Sequence, residues 1–253
     1  MAGSARGGRA LRALIARVDS FDSAEAALRH MEPLGRTGPA VISFFNQHAA
    51  NLAAGQPVFA RDLAAADLLL RDGIGVKLAC AVLGRRAGAN LNGTDFIPRL
   101  LAARRGCRIL LCGTEEPWLS RAADRLARDG HRLVGTLSGF EPAEAYYPAI
   151  AAARPEIVVL GMGMPRQERV AACLQTRLPF PCLIVNGGAI LDFLADRHPR
   201  APQPLRRIGL EWLYRLSREP RRLARRYLIG IPVFFAHLME PGRSILDEQE
   251  PRS

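Results

Sequence analysis

The chain has 253 residues, 49% of them apolar, and a net charge of +11. That size and apolar fraction suit one large α/β domain, or a domain with an appendage, and exclude an intrinsically disordered chain. Lys77 is the one lysine, so the positive charge is arginine, which suits bidentate binding of phosphate or carboxylate and leaves nucleic acid, an anionic membrane surface and phosphorylated small molecules open as partners.

Residues 1–37 are rich in Ala, Gly and Arg and read as a peripheral segment with one helix near residues 23–31. Arginines interrupt the N-terminal stretch, which leaves no apolar core for a signal peptide. From Pro39 onward, short apolar runs alternate with helix-like stretches. Strands are expected at AVISFF (40–45), ADLLL (66–70), CRILLCG (107–113), HRLVGTL (131–137), EIVVLGMG (156–163) and CLIVNGG (182–188). Helices are expected at QHAANLAA, VKLACAVLG, FIPRLLAARR, PWLSRAADRLARDG, AEAYYPAIAAARP and QERVAACLQTRL. Apolar strands in strict alternation with helices predict an α/β fold: a Rossmann-like, mostly parallel sheet covered on both faces, over residues 38–196.

After residue 196 the composition changes. Ten arginines fall between 197 and 226 against two glutamates. Arg215, Arg218, Arg222 and Arg225 are spaced as one helical face, although Pro220 divides the stretch into two pieces. Residues 227–239 are almost wholly apolar, too short to span a bilayer and suited to lying in its interface. Residues 197–245 therefore read as an Arg-rich helical appendage that docks on a membrane. No 18-residue apolar run exists, so no transmembrane helix is expected. Five scattered cysteines without a CxxC pair point to free thiols in a reducing compartment and to no structural zinc. The expected location is the cytoplasm.

In parallel sheets ligands bind beyond the carboxyl ends of the strands. Five such ends carry polar or glycine-rich residues: Asn46; Arg71-Asp72-Gly73; Gly113-Thr114; Gly161 to Glu168 in LGMGMPRQE; and Asn186-Gly187-Gly188. Asp72 is placed to act as a general base or, equally well on spacing alone, to cap the following helix. Thr94 and Asp95 read first as helix caps and second as part of an anion site at a helix N-terminus. Gly161 and Gly163 allow close backbone approach, and Pro165 suits a first helical turn. Glu168 complements a helix dipole, whereas Gln167 has no evident structural duty and reads as a ligand contact. No histidine stands at metal-ligand spacing to a cysteine or another histidine, so no metal site is expected.

Taken in order, FFNQHAANLA, ADLLLRDGIGVKLA, NGTDFIPRLL, LGMGMPRQE, NGGAILDFLAD followed by RAP, and GLEWLYRLSREPRRLARRYL resemble the WecG/TagA/CpsF family of bacterial glycosyltransferases. The resemblance spans about residues 38 to 240. It implies an inverting, metal-independent enzyme of surface polysaccharide biosynthesis. Such an enzyme moves a sugar from a UDP-sugar to a polyprenyl-diphosphate-linked glycan, peripherally on the inner face of the cell membrane. It assigns Asp72 as general base, Gln167 to the donor region, and Arg215, Arg222 and Arg225 to phosphate; Asn46 matches the asparagine after the first strand and Asp192 the aspartate before the Phe-Leu pair, expected here to orient the donor nucleotide with Gln167. A homo-oligomer is compatible with it. Two departures bear on the donor. Phe44 stands where many members place Thr, with Ser43 one position off, and Asn90 stands where many carry Arg. Both point away from an N-acetylmannosamine derivative and towards a plain hexose or hexuronic acid.

Two other functions fit less well. A nicotinamide-dependent oxidoreductase needs a GxGxxG turn in its first βα unit, and GMGMPR lacks the third glycine. A nucleic-acid-binding protein needs basic residues interleaved with aromatics, a pattern absent outside the C-terminal segment, so no nucleic-acid partner is expected.

Overall fold

The structure, a computed structural model, describes residues 2–207 and 211–239. Six strands form one sheet: β1 (Pro39–Phe45), β2 (Leu68–Arg71), β3 (Arg108–Gly113), β4 (Arg132–Leu137), β5 (Ile157–Gly161) and β6 (Cys182–Asn186). Their order is β2-β1-β6-β5-β3-β4, and every neighbouring pair is parallel. The expected mostly parallel sheet is thus parallel throughout. In chain order the helices are α1 (Ala2–Arg17), α2 (Ala24–His30), α3 (Gln47–Gly55), α4 (Pro57–Ala64), α5 (Ile74–Val82), α6 (Gly93–Ala103) and α7 (Trp118–Arg128). They continue with α8 (Ala143–Ala153), α9 (Arg166–Arg177), α10 (Ile190–Leu194), α11 (Gln203–Arg207), α12 (Glu211–Arg218), α13 (Pro220–Ala224) and α14 (Gly230–Met239). A π-helical turn, Arg225–Ile229, joins α13 to α14.

Strand side chains alternate between faces, and each face has its own core. On one, Ile42 and Phe44 of β1 join Ile109, Ile157, Val159, Leu183 and Val185 beneath α2, α6, α7 and α10. On the other, Val41, Leu110, Val158 and Ile184 pack beneath α8 and α9. Phe45 and Leu69 on that face pack beneath α1, α3, α4, α5 and α14. Neighbouring strands β1 and β6 therefore send their following helices, α3 and α10, to opposite faces.

Helix α4 is not among the expected elements, and two further features depart from the sequence expectation. The segment expected at the periphery carries a second helix, α1, whose Leu11, Leu14 and Ile15 are buried against α3 and α14. Its arginines masked the helical periodicity, and those residues are apolar on one side only. The apolar tail is also docked on the protein. Phe234 and Leu238 of α14 are buried in the same core, Asn51 Nδ2 donates to Gly230 O at 2.7 Å, and an Arg12 guanidinium nitrogen donates to Leu238 O at 3.0 Å. Among the described residues no helix is long and apolar enough to cross a membrane.

Candidate active site

Strand β1 ends at Phe45, and Asn46 caps the helix that follows: its Oδ1 accepts from the backbone N–H groups of His48 and Ala49 at 3.0 and 3.1 Å. That bond fixes the amide plane, so Nδ2 of Asn46 turns towards β2 and donates to Asp72 Oδ2 at 3.1 Å. The backbone N–H of Asp72 in turn donates to Phe45 O at 2.9 Å. Asp72 does not cap α5. The cap position is held by Gly73, which has φ of +90° and no side-chain bond, a conformation that L residues rarely adopt. The Asp72 carboxylate is left to face the space above the strand ends.

Two residues hold that turn from behind. Arg71 is buried and donates to the carbonyls of Gly73, Ala87 and Gly88 at 2.9–3.0 Å. Asn90 accepts from the Gly73 N–H at 2.8 Å. Both groups of the Gly73 peptide are therefore bonded to side chains.

Above this turn lies a cavity of about 300 Å³. Asn46, Asp72, Asn90, Asn92 and Thr94 form its polar floor; Arg206, Glu211, Trp212, Arg215 and Arg226 close it from the C-terminal helices; Ile74, Leu78, Ile231 and Phe235 line an apolar side. Of the residues singled out in the sequence, Asn46, Asp72, Thr94 and Arg215 thus share one space. Arg215 also stacks on the Phe193 ring at 5.4 Å. Arg225 is exposed and does not line the cavity, whereas Arg226 does. The break at Pro220 and the wider π turn put the 3-4-3 spacing out of register, so the stripe does not continue along one face. The side chain of Arg222 lies outside the described residues.

Asp95 serves as scaffold. Asn92 is the cap of α6: its Oδ1 accepts from Asp95 N and its Nδ2 donates to Asp95 Oδ2, both at 3.0 Å, a reciprocal arrangement of cap and third helical residue. Neither Thr94 nor Asp95 is the cap. Asp95 Oδ1 also takes Arg200 and Arg206 at 2.9 Å each. Burial works against its ionised form, but Asn92 and the two guanidinium groups hold the carboxyl below its ordinary pKa. This junction ties the start of the appendage to α6.

The residues of LGMGMPRQE stand elsewhere, and none of them lines the cavity. Gln167, expected to face a ligand, is buried: its Oε1 accepts from Gly188 N at 2.9 Å and its Nε2 donates to Glu168 Oε1 at 2.8 Å. Its duty is to clamp the β6 turn to the β5 turn. Glu168 is also buried, and desolvation pushes its pKa up to about 7, against the bond from Gln167. The glycines match this packing role. A Cβ on Gly113 would meet Gly161 O at 2.4 Å, and one on Gly161 or Gly187 would strike Leu191 or Ile190. Gly163 has open space around it and is needed for its φ of +77°. Asp192 joins a third group, accepting from Thr114 Oγ1 at 2.6 Å and pairing with Arg197 at 3.3 Å. Arg197 also meets Glu115 at 3.1 Å and the Trp118 ring at 5.4 Å.

Sequence reasoning missed Glu211, Trp212 and Arg226, all contributed by the C-terminal helices. Burial, with Asp95 and Asp72 nearby, raises the pKa of Glu211 despite Arg200 and Arg215. His48 is held near 4 by burial and by Arg226, so it adds no charge here at neutral pH. Ser43 is fully buried and receives Asn186 Nδ2 at 2.7 Å, while Phe44 lies in the core against Phe96. Neither faces the cavity. Among the described residues no three His, Cys, Asp or Glu side chains gather as metal ligands.

Two relatives of this sequence share a name. A Bacillus spizizenii protein, 28% identical over 193 residues covering 74% of each chain, is an N-acetylglucosaminyldiphosphoundecaprenol N-acetyl-beta-D-mannosaminyltransferase. A Bacillus subtilis protein of the same name is 28% identical over 200 residues covering 77% of each chain. The chain matches the glycosyl transferase WecG/TagA/CpsF family over residues 11–245 and is a glycosyltransferase belonging to that family.

Proposed function

We propose that this enzyme moves a sugar from a UDP-sugar to an N-acetylglucosamine carried on a polyprenyl diphosphate, with Asp72 as the general base. The observation that carries this reading is the cavity, where the Asp72 carboxylate, held by Asn46, faces Arg206, Arg215 and Arg226 across one space. The relatives' printed name supplies the acceptor chemistry. The Asn46 amide occupies Oδ2 of Asp72 and leaves Oδ1 to take the proton of the acceptor hydroxyl. That oxygen attacks the anomeric carbon as the bond to the UDP oxygen breaks, with inversion, and UDP leaves with the electron pair. Cationic side chains at the cavity offset the charge that develops on a departing or retained diphosphate, a task that makes a metal ion unnecessary.

On this proposal the transferred sugar is other than the N-acetylmannosaminyl group in the relatives' name; Asn90, where many family members carry Arg, lines the cavity and bonds to the backbone of the base's own turn. The enzyme works peripherally at the inner face of the membrane that holds its acceptor. UDP release from a panel of UDP-sugars, with an N-acetylglucosaminyl diphosphate lipid as acceptor, tests the reading. One donor, a hexose or hexuronic acid, should support turnover that Asp72→Asn lowers by about 10²–10⁴-fold with unchanged melting temperature. Near-normal turnover in that variant would remove Asp72 from the role.

A further inference from the structure

Helix α5 begins two residues after the proposed base, and its outer face is apolar. Ile74, Leu78 and Val82 recur every four residues, one above another along the helix, and are 43%, 46% and 56% exposed. The helix IGVKLACAV holds one charged residue, Lys77, and no acid. A solvated helix face is ordinarily polar, so three large apolar side chains in line on the surface call for an occupant.

The stripe is continuous with the cavity. Ile74 and Leu78 line it, Ile231 and Phe235 of α14 line the same space, and Val82 stands one turn beyond Leu78. Moving outward from Asp72, the surface passes from a carboxylate and arginines to an apolar track. A ligand that fits this sequence carries a hydroxyl at one end, anionic charge next to it, and a hydrocarbon chain following the charge. A prenyl diphosphate linked to a sugar has that order of groups. A bilayer surface brings headgroups and hydrocarbon together over a broad face, and nothing in that arrangement requires a track that starts inside a cavity.

We infer that the Ile74–Leu78–Val82 stripe is a binding subsite for the first isoprene units of the acceptor, seated along α5 with its diphosphate at the cavity arginines. This subsite rests on the acceptor class proposed above. It gives the enzyme affinity for the lipid carrier independent of the sugar, and it directs the chain out of the cavity along α5.

Calorimetric titration of the full chain with methyl, geranyl and farnesyl diphosphate, below their micelle concentrations, tests it. In the unaltered protein Kd should fall with length, by about tenfold for each isoprene unit that buries half its surface. The double variant Leu78→Ser, Val82→Ser should flatten that dependence to within about twofold per unit. Val58→Ser, which removes an apolar side chain of 47% exposure on α4, should keep the full dependence. Retention of the length dependence in the double variant overturns the inference. So does a double variant that loses binding to phosphatidylglycerol vesicles yet still prefers farnesyl over methyl diphosphate, since the stripe would then contact the bilayer. Failure of the unaltered protein to bind any of the three diphosphates would strike the acceptor class itself, and that outcome is read separately from the length dependence.

Discussion

Asn46 and Gln167 were equally polar residues at strand ends, and the fold gave them opposite tasks. Asn46 spends its oxygen on the α3 cap and its nitrogen on Asp72; Gln167 spends its oxygen on the β6 turn and its nitrogen on the buried Glu168 next to it. The buried Glu168 beside it makes a prediction about pH. Its folded-state pKa of about 7 lies above the ordinary 4.5. The contribution is therefore fully present below the unfolded value and is lost as pH rises from 4.5 through 7, because the unfolded chain ionises first. The shift corresponds to about 3 kcal/mol. Glu168→Gln, which can still accept from Gln167, should gain stability over the unaltered protein by up to that amount at pH 8 and by little at pH 4.5. Urea unfolding at the two pH values measures this, and an equal difference at both would show that Glu168 is not the source. Gln167 could not be assigned from the chain alone, since its partner Gly188 is 21 residues away and only packing of β5 against β6 brings them together.

Among the elements, α14 departs most from its sequence reading. A run of apolar residues beside clustered arginines reads as a membrane-facing tail, and its exposed Val233 and Met239 keep that reading open for one face. The other face is core. Leu238 is buried and its carbonyl accepts from Arg12. Leu238→Ala should therefore cost about 2–5 kcal/mol of unfolding free energy, the usual range for a buried leucine, in protein without any lipid. A change below about 0.5 kcal/mol would mean that the tail does not dock. The strands were easier to read because continuous apolar runs between polar ends mark a sheet buried on both faces. The C-terminal helices were harder. A 3-4-3 arginine spacing presumes one straight helix, and Pro220 and the π turn at Arg225–Ile229 rotate its second half.

For the whole molecule, the cavity exists because two distant parts of the chain meet: strand ends from residues 46–94 and helices from residues 206–235. The Asp95 junction with Arg200 and Arg206 and the docking of α14 close it from the far side. If cavity cations do the work of charge neutralisation, sugar transfer should persist in excess EDTA at more than about half of its rate. A chelator-induced loss of the order expected for removing a Lewis acid, 10²-fold or more, would overturn the metal-free mechanism. The sequence by itself determined a mostly parallel α/β sheet, the alternation of its strands and helices along the chain, the family, and the residues at each strand end, because periodicity and turn chemistry are local. Tertiary structure alone decided that Asn46 and Asp72 face a shared space while Gln167, Glu168, Gly113, Gly161 and Gly187 are packed away from it, and that Glu211, Trp212 and Arg226 line the same cavity. Those assignments depend on which strand ends sit side by side, β1 with β2 and β5 with β6, and on where the C-terminal helices fold back, and neither is written in any local stretch of residues.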